Sequence, residues 1–479
     1  MKIQDNLILL ADAYKYAHHK LYYPGTTNIY SYFESRGGQF SETTFFGLQY
    51  ILKQYLEGVV ITREKIDEAA AFLPMVFGRN DVFDRSKFDY ILEKHGGRLP
   101  VRIKAVREGS SVPVNNVLVT IENTDPACYW LTNFLETLLV QIWYPSTVAS
   151  ISREIRKVVG EYFSDTASEE ACNGIDFILN DFGFRGVSSV ESAAIGGAAH
   201  LLNFRGSDNI VGSLLAQRYY NTNTVYGLSI PATEHSVVTL LGEEGELEVF
   251  KHVLKTFPTG VVACVSDSFD IFRACSEYWG TELKDIILNR DGVLVIRPDS
   301  GDPVFTLLRV FDILFSKFGY TINKKGYKVL PRQVRVIQGD GVDIQSIRAI
   351  YGALKVNGIS AENLVLGMGG ALLQKLDRDT QKFAFKCSYA EVNGNAVAVQ
   401  KHPLEIDHHG NLVQSFKRSK AGRLKLIYDN NEYQTLKESE RPDLEDQLIT
   451  VFENGTLFNQ QNFETVRNRA KIPIEESVG

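Results

Sequence analysis

The stretch Val293-Leu-Val-Ile-Arg-Pro-Asp-Ser-Gly-Asp-Pro303 and the residues after it, to Phe318, decide the fold. Four apolar residues in a row, Val293–Ile296, read as a strand buried on both faces. Two prolines and a glycine then stop it. From Phe305 to Phe318 the apolar positions return with helical period. The unit is therefore strand, polar loop, helix. It recurs as Val334–Ile337, Gln338-Gly-Asp-Gly341 and Ile344–Leu354, and again as Leu364–Leu366, Gly367-Met-Gly-Gly370 and Ala371–Leu376. Upstream, Asp181-Phe-Gly-Phe-Arg-Gly186, Gly206-Ser-Asp208, Ile230-Pro-Ala-Thr-Glu-His235 and Ser266-Asp-Ser268 close other β-rich runs. The clusters follow one another at roughly 25–40 residues, the length of a strand, a helix and their loops. Such repetition predicts a parallel sheet. Polar clusters at successive strand ends fit an irregular βα-barrel of the α/β class, whose loops meet at one mouth. An open doubly wound sheet is the alternative.

The flanks lack this rhythm. Residues before about 145 mix strands and helices. Those after about 385 are divided by the turns Val392-Asn-Gly394, His408-His-Gly-Asn411, Lys420-Ala-Gly422 and Asp429-Asn-Asn431, which favour antiparallel β structure. The expected division is a barrel domain at 146–384 and a second α+β domain made from both chain ends, 1–145 with 385–479. Trp130–Ala149 reads as one buried amphipathic helix. Asn133, Glu136 and Gln141 interrupt it too often for a membrane span. The apolar run Leu7–Ala11 is closed by Asp12 and is too short for a signal-peptide core.

With 44% hydrophobic residues among 479, the chain can bury a large core. A net charge of −7 gives no general reason to bind nucleic acid or an anionic membrane, so any phosphate site must be built locally. Cys128, Cys172, Cys264, Cys275 and Cys387 are scattered, odd in number and without a C-x-x-C, which fits free thiols in a reducing cytoplasm. No H-x-x-x-H pair, Cys/His cluster or G-x-S-x-G elbow points to zinc or elbow-hydrolase chemistry.

The candidate chemical groups sit in the loops. Asp299 can hold sugar hydroxyls or a metal and Arg297 can pair with phosphate, although a surface turn with an internal ion pair would look the same. Gly369 and Gly370 before a helix suit an anion, with Arg378 about two turns further on; close helix packing is the plainer reading. His235 stands alone at a strand end. Asp208, Asp267 and Asp270 can equally be turn or cap residues. Phe182 and Arg185 can be a core aromatic and half of an ion pair.

Taken in order, these clusters resemble the nicotinamide phosphoribosyltransferase family. The resemblance also rests on Asp12-Ala-Tyr-Lys15, Tyr32-Phe-Glu-Ser-Arg36, Asn123-Thr-Asp-Pro126, Tyr129-Trp-Leu-Thr-Asn133, Leu372-Leu-Gln-Lys375 and Phe385-Lys-Cys-Ser-Tyr389, and so runs almost end to end. Ala13, Phe184 and Met368 are local departures. The family implies a type II phosphoribosyltransferase fold and a cytoplasmic homodimer with active sites at its interface. It implies transfer of phosphoribose from 5-phosphoribosyl 1-pyrophosphate to nicotinamide, with Mg²⁺ as cofactor. ATP enters as co-substrate, acting through a phosphohistidine, to which His235 corresponds; Asp267 is the candidate for orienting it and Asp270 the alternative. Phe182 and the partner's Tyr14, arriving with Asp12, are expected to sandwich the pyridine ring beside Arg185, with Asp208 accepting from the carboxamide. Arg297 and Asp299 are expected at the ribose and phosphates. Gly339, Asp340, Gly369, Gly370 and Arg378 are expected at the 5′-phosphate end, and Ser266, Arg36, Lys386 and Lys401 as further substrate contacts. The same reaction on nicotinate, or a non-catalytic binding relative, are the alternatives.

Overall fold

The computed structural model describes residues 3–401, 404–406, 410–414 and 419–472. The His408–His409 part of one expected turn lies outside them. The chain forms two compact units. One comprises Met1–Ser150, Arg218–Thr222 and Asp377–Ala470; the other is built chiefly from Ile151–Gln217 and Asn223–Leu376. The division falls near Ser150 and Asp377 rather than at 145 and 385.

The second unit holds a parallel sheet in the order Gly206–Ser207, Leu179–Asp181, Leu364–Met368, Val334–Gln338, Gly292–Arg297, Gly260–Val265. One short stretch joins its two edges. Leu228 bridges to Gly206 and Ala232 bridges to Ala263, both in parallel sense. The Ser207 N–H donates to the Leu228 carbonyl (2.9 Å), and the Ala263 N–H to the Pro231 carbonyl (2.9 Å). Pro231 has no N–H to return, so this closing segment stays irregular. The barrel interior is apolar: Ala263, Val295 and Ile337 form a buried cluster, with Phe182, Val293 and Val365 packed on it.

Helices follow strands as the periodicity predicts. Pro303–Phe318 buries Leu307, Val310, Phe311, Leu314, Phe315 and Phe318. Asp302 caps it by accepting from the Phe305 N–H (2.8 Å), and Pro303 occupies its first turn, where no donor is needed. Ile344–Val356 is opened by a capping box between Asp343 and Ser346. The expected helix Ala371–Leu376 is shorter, Gly370–Leu373. The Gln374 and Lys375 N–H groups both turn back to the Gly370 carbonyl, and Asp377 caps a new 3₁₀ turn, Arg378–Thr380. Arg378 therefore does not lie two turns along the same helix.

In the first unit, strands from both chain ends share one antiparallel sheet. Its order is Asn395–Ala398, Phe383–Val392, Thr26–Ser35, Val117–Asn123, Val101–Ala105, Ile449–Glu453, Thr456–Leu457. The Asn393-Gly394 and Asn430-Asn431 turns have positive φ at both positions, the tight turns predicted from their residue types. Arg218–Thr222 joins this unit through Tyr220, which is fully buried and donates to Glu108 Oε2 (2.7 Å).

The single helix expected at Trp130–Ala149 is instead broken into Leu131–Phe134, Glu136–Leu139 and Val140–Ile142, after which Trp143–Thr166 runs unbroken. Pro145 is the cause. In the interior of one long helix its ring would strike the Gln141 carbonyl, whereas in the first turn of a new helix it is tolerated. Among the described residues, no helix is long and apolar enough to cross a membrane.

Candidate active site

The loops that follow the barrel strands surround a cavity of about 1320 Å³. Its wall includes Phe182, Arg185, Asp208, His235, Arg297, Asp299, Gly339, Asp340, Gly369 and Gly370, ten residues singled out from the sequence. Each lies at or just beyond the C-terminal end of a parallel strand, except His235, which follows the closing segment. The barrel topology thus collects groups scattered over nearly 190 positions of sequence.

Phe182 is half-buried. Its N–H donates to the Met368 carbonyl (3.0 Å) and its ring packs on the barrel core. Met368, the departure in the Gly-rich loop, turns its side chain into the interior and is 2% exposed. Asp208 is exposed, and its Oδ1 accepts from the Ser229 hydroxyl. Ser229 carried no local sequence signal. It reaches Asp208 because Leu228 bridges beside the Gly206–Ser207 strand.

A second group centres on Asp267, whose side chain is 4% exposed. Its Oδ1 lies 3.0 Å from His235 Nε2, while its Oδ2 accepts from the Asp299 N–H (3.1 Å) and the Ser300 hydroxyl (2.6 Å). The carboxylate therefore fixes the His235 ring and the Asp299 loop together, and it favours the tautomer with the proton on Nε2 and a lone pair on Nδ1. Asp299 Oδ2 pairs with Arg297 Nη2 at 3.1 Å, and Arg297 Nε is buried without a hydrogen-bond partner among the described residues. A half-buried guanidinium with donor capacity to spare suits a phosphate oxygen. Asp270 takes the plainer of its readings. Its Oδ1 accepts from the N–H groups of Phe272 and Arg273 and caps a helical turn.

Ser266 requires a correction. It is fully buried, donating to the Cys264 carbonyl (2.9 Å) and accepting from Trp279 Nε1 (3.1 Å). Its hydroxyl is used in holding the strand end, and no substrate can reach it.

Asp12, Tyr14, Arg36, Arg378, Lys386 and Lys401 belong to the other unit. Tyr14 is 60% exposed, and Asp12 Oδ2 accepts from Thr137 Oγ1 (2.8 Å). The four cations lie near one another. Partial burial, then Arg36, Lys401 and Arg378, push the Lys386 ammonium below its ordinary value, against the opposing pull of Glu136. Fully buried Glu34 steadies this group by pairing with Arg36 Nε (2.7 Å) and with Lys420. Glu34 lies in the Tyr32–Arg36 motif and Lys420 opens the Lys420-Ala-Gly422 turn, but nothing in the sequence gave either a place at the site.

For a metal, the cavity wall supplies oxygen donors. One oxygen of Asp299 is free of Arg297 and faces the Gly339 backbone, next to the exposed Asp340. With no thiolate and only carboxylates to offer, this set fits a hard cation such as Mg²⁺. In the other unit, the fold brings His95, Asp125 and Cys128 within 4.8 Å, a grouping not visible in the sequence. Hydrogen bonding already accounts for it. Asp125 Oδ2 meets His95 Nε2 (2.7 Å) and Tyr90 OH (2.9 Å), its Oδ1 accepts from the Ala127 N–H (2.8 Å), and burial pushes the Cys128 thiol up to about 12.

A family model described as the nicotinate phosphoribosyltransferase (NAPRTase) family matches residues 177–455, and one described as the nicotinamide phosphoribosyltransferase N-terminal domain matches residues 6–103. A nicotinamide phosphoribosyltransferase of Xanthomonas campestris is 45% identical over 98% of this chain and 99% of its own length. One of Acinetobacter baylyi is 32% identical over 99% of each. Among solved structures, the nicotinate-nucleotide pyrophosphorylase of Pyrococcus furiosus superposes with a TM-score of 0.60 at 13% identity, covering 98% of this chain and 95% of that one. The human nicotinic acid phosphoribosyltransferase gives 0.56 at 15%, with the same coverage. At these identities the structural likeness speaks to the fold alone.

Proposed function

The chain belongs to the nicotinamide phosphoribosyltransferase family, and on that premise we propose that its barrel cavity joins nicotinamide to 5-phosphoribosyl 1-pyrophosphate, giving nicotinamide mononucleotide and pyrophosphate. It is a phosphoribosyltransferase. The observation that carries the substrate reading is the placement of the Asp208 carboxylate in the same wall as Phe182 and Arg185, with Arg297 and Asp299 also lining the cavity. A carboxylate is an acceptor only, so it suits an amide NH₂ and opposes a substrate carboxylate.

In the reaction the pyridine nitrogen attacks the anomeric carbon. The C–N bond forms as the C–O bond to pyrophosphate breaks, and the bonding pair leaves with pyrophosphate. Nicotinamide is a weak nucleophile, so the protein contributes mainly positioning and charge stabilisation. Phe182 gives the ring a face to lie on, and Asp208 fixes its rotation through the carboxamide. Asp299 and Arg297 serve the ribose and phosphate oxygens. Asp299 and Asp340, together with substrate oxygens, are the groups that would hold Mg²⁺, which offsets negative charge on the leaving pyrophosphate.

His235, held by Asp267, is the residue we assign to ATP. Its Nδ1 takes the γ-phosphoryl group as the bond to the ADP oxygen breaks, and the phosphohistidine places new negative charge at the pyrophosphate end. We further assign a homodimer in which Tyr14 and Asp12 serve the partner's cavity, and a cytoplasmic setting.

The test is steady-state turnover by the purified protein with nicotinamide and with nicotinate at fixed 5-phosphoribosyl 1-pyrophosphate. Preferred turnover of nicotinamide supports the reading. Preference for nicotinate would reassign the base, and absence of turnover with either would leave a binding protein.

A further inference from the structure

We propose that Asp181, a residue with no part in the chemistry above, is the positioning residue that locks the two sides of the nicotinamide subsite to each other. The proposal rests on the reading of that subsite just given.

Asp181 ends the strand Leu179–Asp181 and is completely buried. It sits in register with Met368 on one side and Ser207 on the other. All three of its oxygens are used, two on the Asp208–Asn209 turn and one on the turn after Phe182. Its carbonyl accepts from the Asp208 N–H (3.0 Å). Its Oδ1 accepts from the Gly183 N–H (2.8 Å), on the residue after Phe182. Its Oδ2 accepts from Asn209 Nδ2 (2.8 Å), on the residue after Asp208. One side chain therefore ties the turn that carries the ring-stacking Phe182 to the turn that carries the amide-reading Asp208.

Two further observations show that the tie is built in. Asn209 spends its amide hydrogens on Asp181 Oδ2 and on the Ala193 carbonyl (2.8 Å), which fixes which end of the amide faces Asp181. Its own Oδ1 is left buried without a hydrogen-bond partner among the described residues, so the residue is held for its donors at the expense of its acceptor. The carboxylate is also a costly choice. Burial raises the Asp181 carboxyl to about 6, against the pull of the Gly183 and Asn209 donors, and neighbouring Asp208 raises it further. An apolar or neutral residue would fill a buried strand end with less desolvation. What a carboxylate adds is two strong acceptors in a fixed geometry, aimed at two loops.

Asp181→Asn tests this. The amide oxygen can still receive the Gly183 N–H, but the new NH₂ confronts the NH₂ of Asn209, donor against donor, so the side-chain tie to the Asp208 turn is lost and only the backbone bond from the Asp208 N–H remains. The expected result is a rise of about tenfold in KM for nicotinamide, with kcat and KM for 5-phosphoribosyl 1-pyrophosphate changed by less than about twofold, since positioning of the base alone is lost. Asn209→Ala removes the same bond from the other side and should reproduce that selective rise; it keeps the test alive if Asp181→Asn folds poorly. Asp208→Ser is run in the same assay. If Asp208→Ser leaves base preference unaltered, the reading of the subsite falls. If Asp208→Ser alters preference while the Asp181 and Asn209 variants leave KM for nicotinamide unchanged, or shift all kinetic constants together, the positioning role is overturned. A lowered melting temperature with unaltered KM for nicotinamide likewise overturns it, because a merely structural residue behaves that way.

Discussion

Phe182 occupies the space that a side chain at Gly367 would need. A Cβ on Gly367 would lie 2.0 Å from Phe182 Cε2 and 2.2 Å from Cδ2. The glycine at this strand end is thus required by the ring beside it. Gly367→Ala must displace the Phe182 ring, which also packs toward Gly339 and the barrel core. Overpacking of this kind costs about 1–3 kcal/mol, measurable by urea denaturation. Because the displaced ring is the one assigned to nicotinamide, KM for nicotinamide should rise by about tenfold or more. Wild-type KM in Gly367→Ala would show that Phe182 does not stack the base.

The His235–Asp267 pair yields a prediction about ATP. Asp267→Asn keeps the size of the side chain but removes the charge that favours the proton on His235 Nε2, and it weakens acceptance from Ser300 and the Asp299 N–H. Stimulation of turnover by ATP should fall by about 10²-fold, and His235→Ala should abolish it. Turnover without ATP should persist in His235→Ala. Radiolabel from γ-labelled ATP should be retained by the wild type and absent from the alanine variant; label on the variant would place the phosphoryl group elsewhere.

The dimer assignment predicts complementation. Tyr14→Ala and Asp299→Ala alter residues of different units. If Tyr14 serves the partner's cavity, mixing the two inactive proteins yields dimers with one intact site, and about a quarter of wild-type activity returns at full exchange. No recovery after demonstrated subunit exchange would assign Tyr14 to its own chain.

Much of this was legible in the sequence, for physical reasons that differ by residue. Val293–Ile296 could be placed because a strand covered on both faces must be apolar throughout, and Pro303–Phe318 because its buried stripe repeats every three or four positions. Arg297, Asp299 and Asp267 could be picked out as polar groups at the ends of buried strands, but a surface ion pair or a helix cap would be written the same way, and only the ordered resemblance of the whole chain pointed to one cavity. Other features had no local signature. Ser229 meets Asp208 only through the barrel closure, and Tyr220 meets Glu108 only because Arg218–Thr222 leaves the sequence of the barrel unit. Ser266 misled because a serine beside a catalytic-looking aspartate is written the same way whether its hydroxyl faces a cavity or Trp279. Pro145 carries the signal for the break after Ile142: a proline inside a long helical pattern marks a restart.

Asp181 also makes stability depend on pH. Its folded-state value of about 6 exceeds the ordinary 3.8. Between those values the folded chain keeps a proton that the unfolded chain has released, so stability is lost as pH rises through this window. The effect is at most about 3 kcal/mol. Asp181→Asn cannot titrate, so the difference in unfolding free energy between it and the wild type should change with pH from 4 to 7, in the direction of relative loss for the wild type. A constant difference would mean that the carboxyl titrates normally.

The proposed function assigns base selection to Asp208, and the geometry around it defines how this would work. The Ser229 hydroxyl donates to Oδ1, which fixes the carboxylate and leaves Oδ2 as the acceptor available to a ligand. Nicotinamide brings an NH₂ donor to it, whereas nicotinate brings a carboxylate with no proton to give. A hydrogen bond to a charged acceptor contributes about 1.5–3 kcal/mol, and two like charges at contact distance add a penalty of the same order in a partly enclosed site. One residue therefore favours the amide and disfavours the acid, and the two effects multiply in the ratio of kcat/KM. Asp208→Ser should lower kcat/KM for nicotinamide by about 10-fold or more and raise that for nicotinate, so that the preference narrows from both directions. Ser229→Ala should act more weakly and in the same sense, because it frees the carboxylate to rotate without removing it. The measurement is kcat/KM for both bases in the three proteins. A preference that survives Asp208→Ser unchanged would move the selecting group to Arg185 or to the partner's residues.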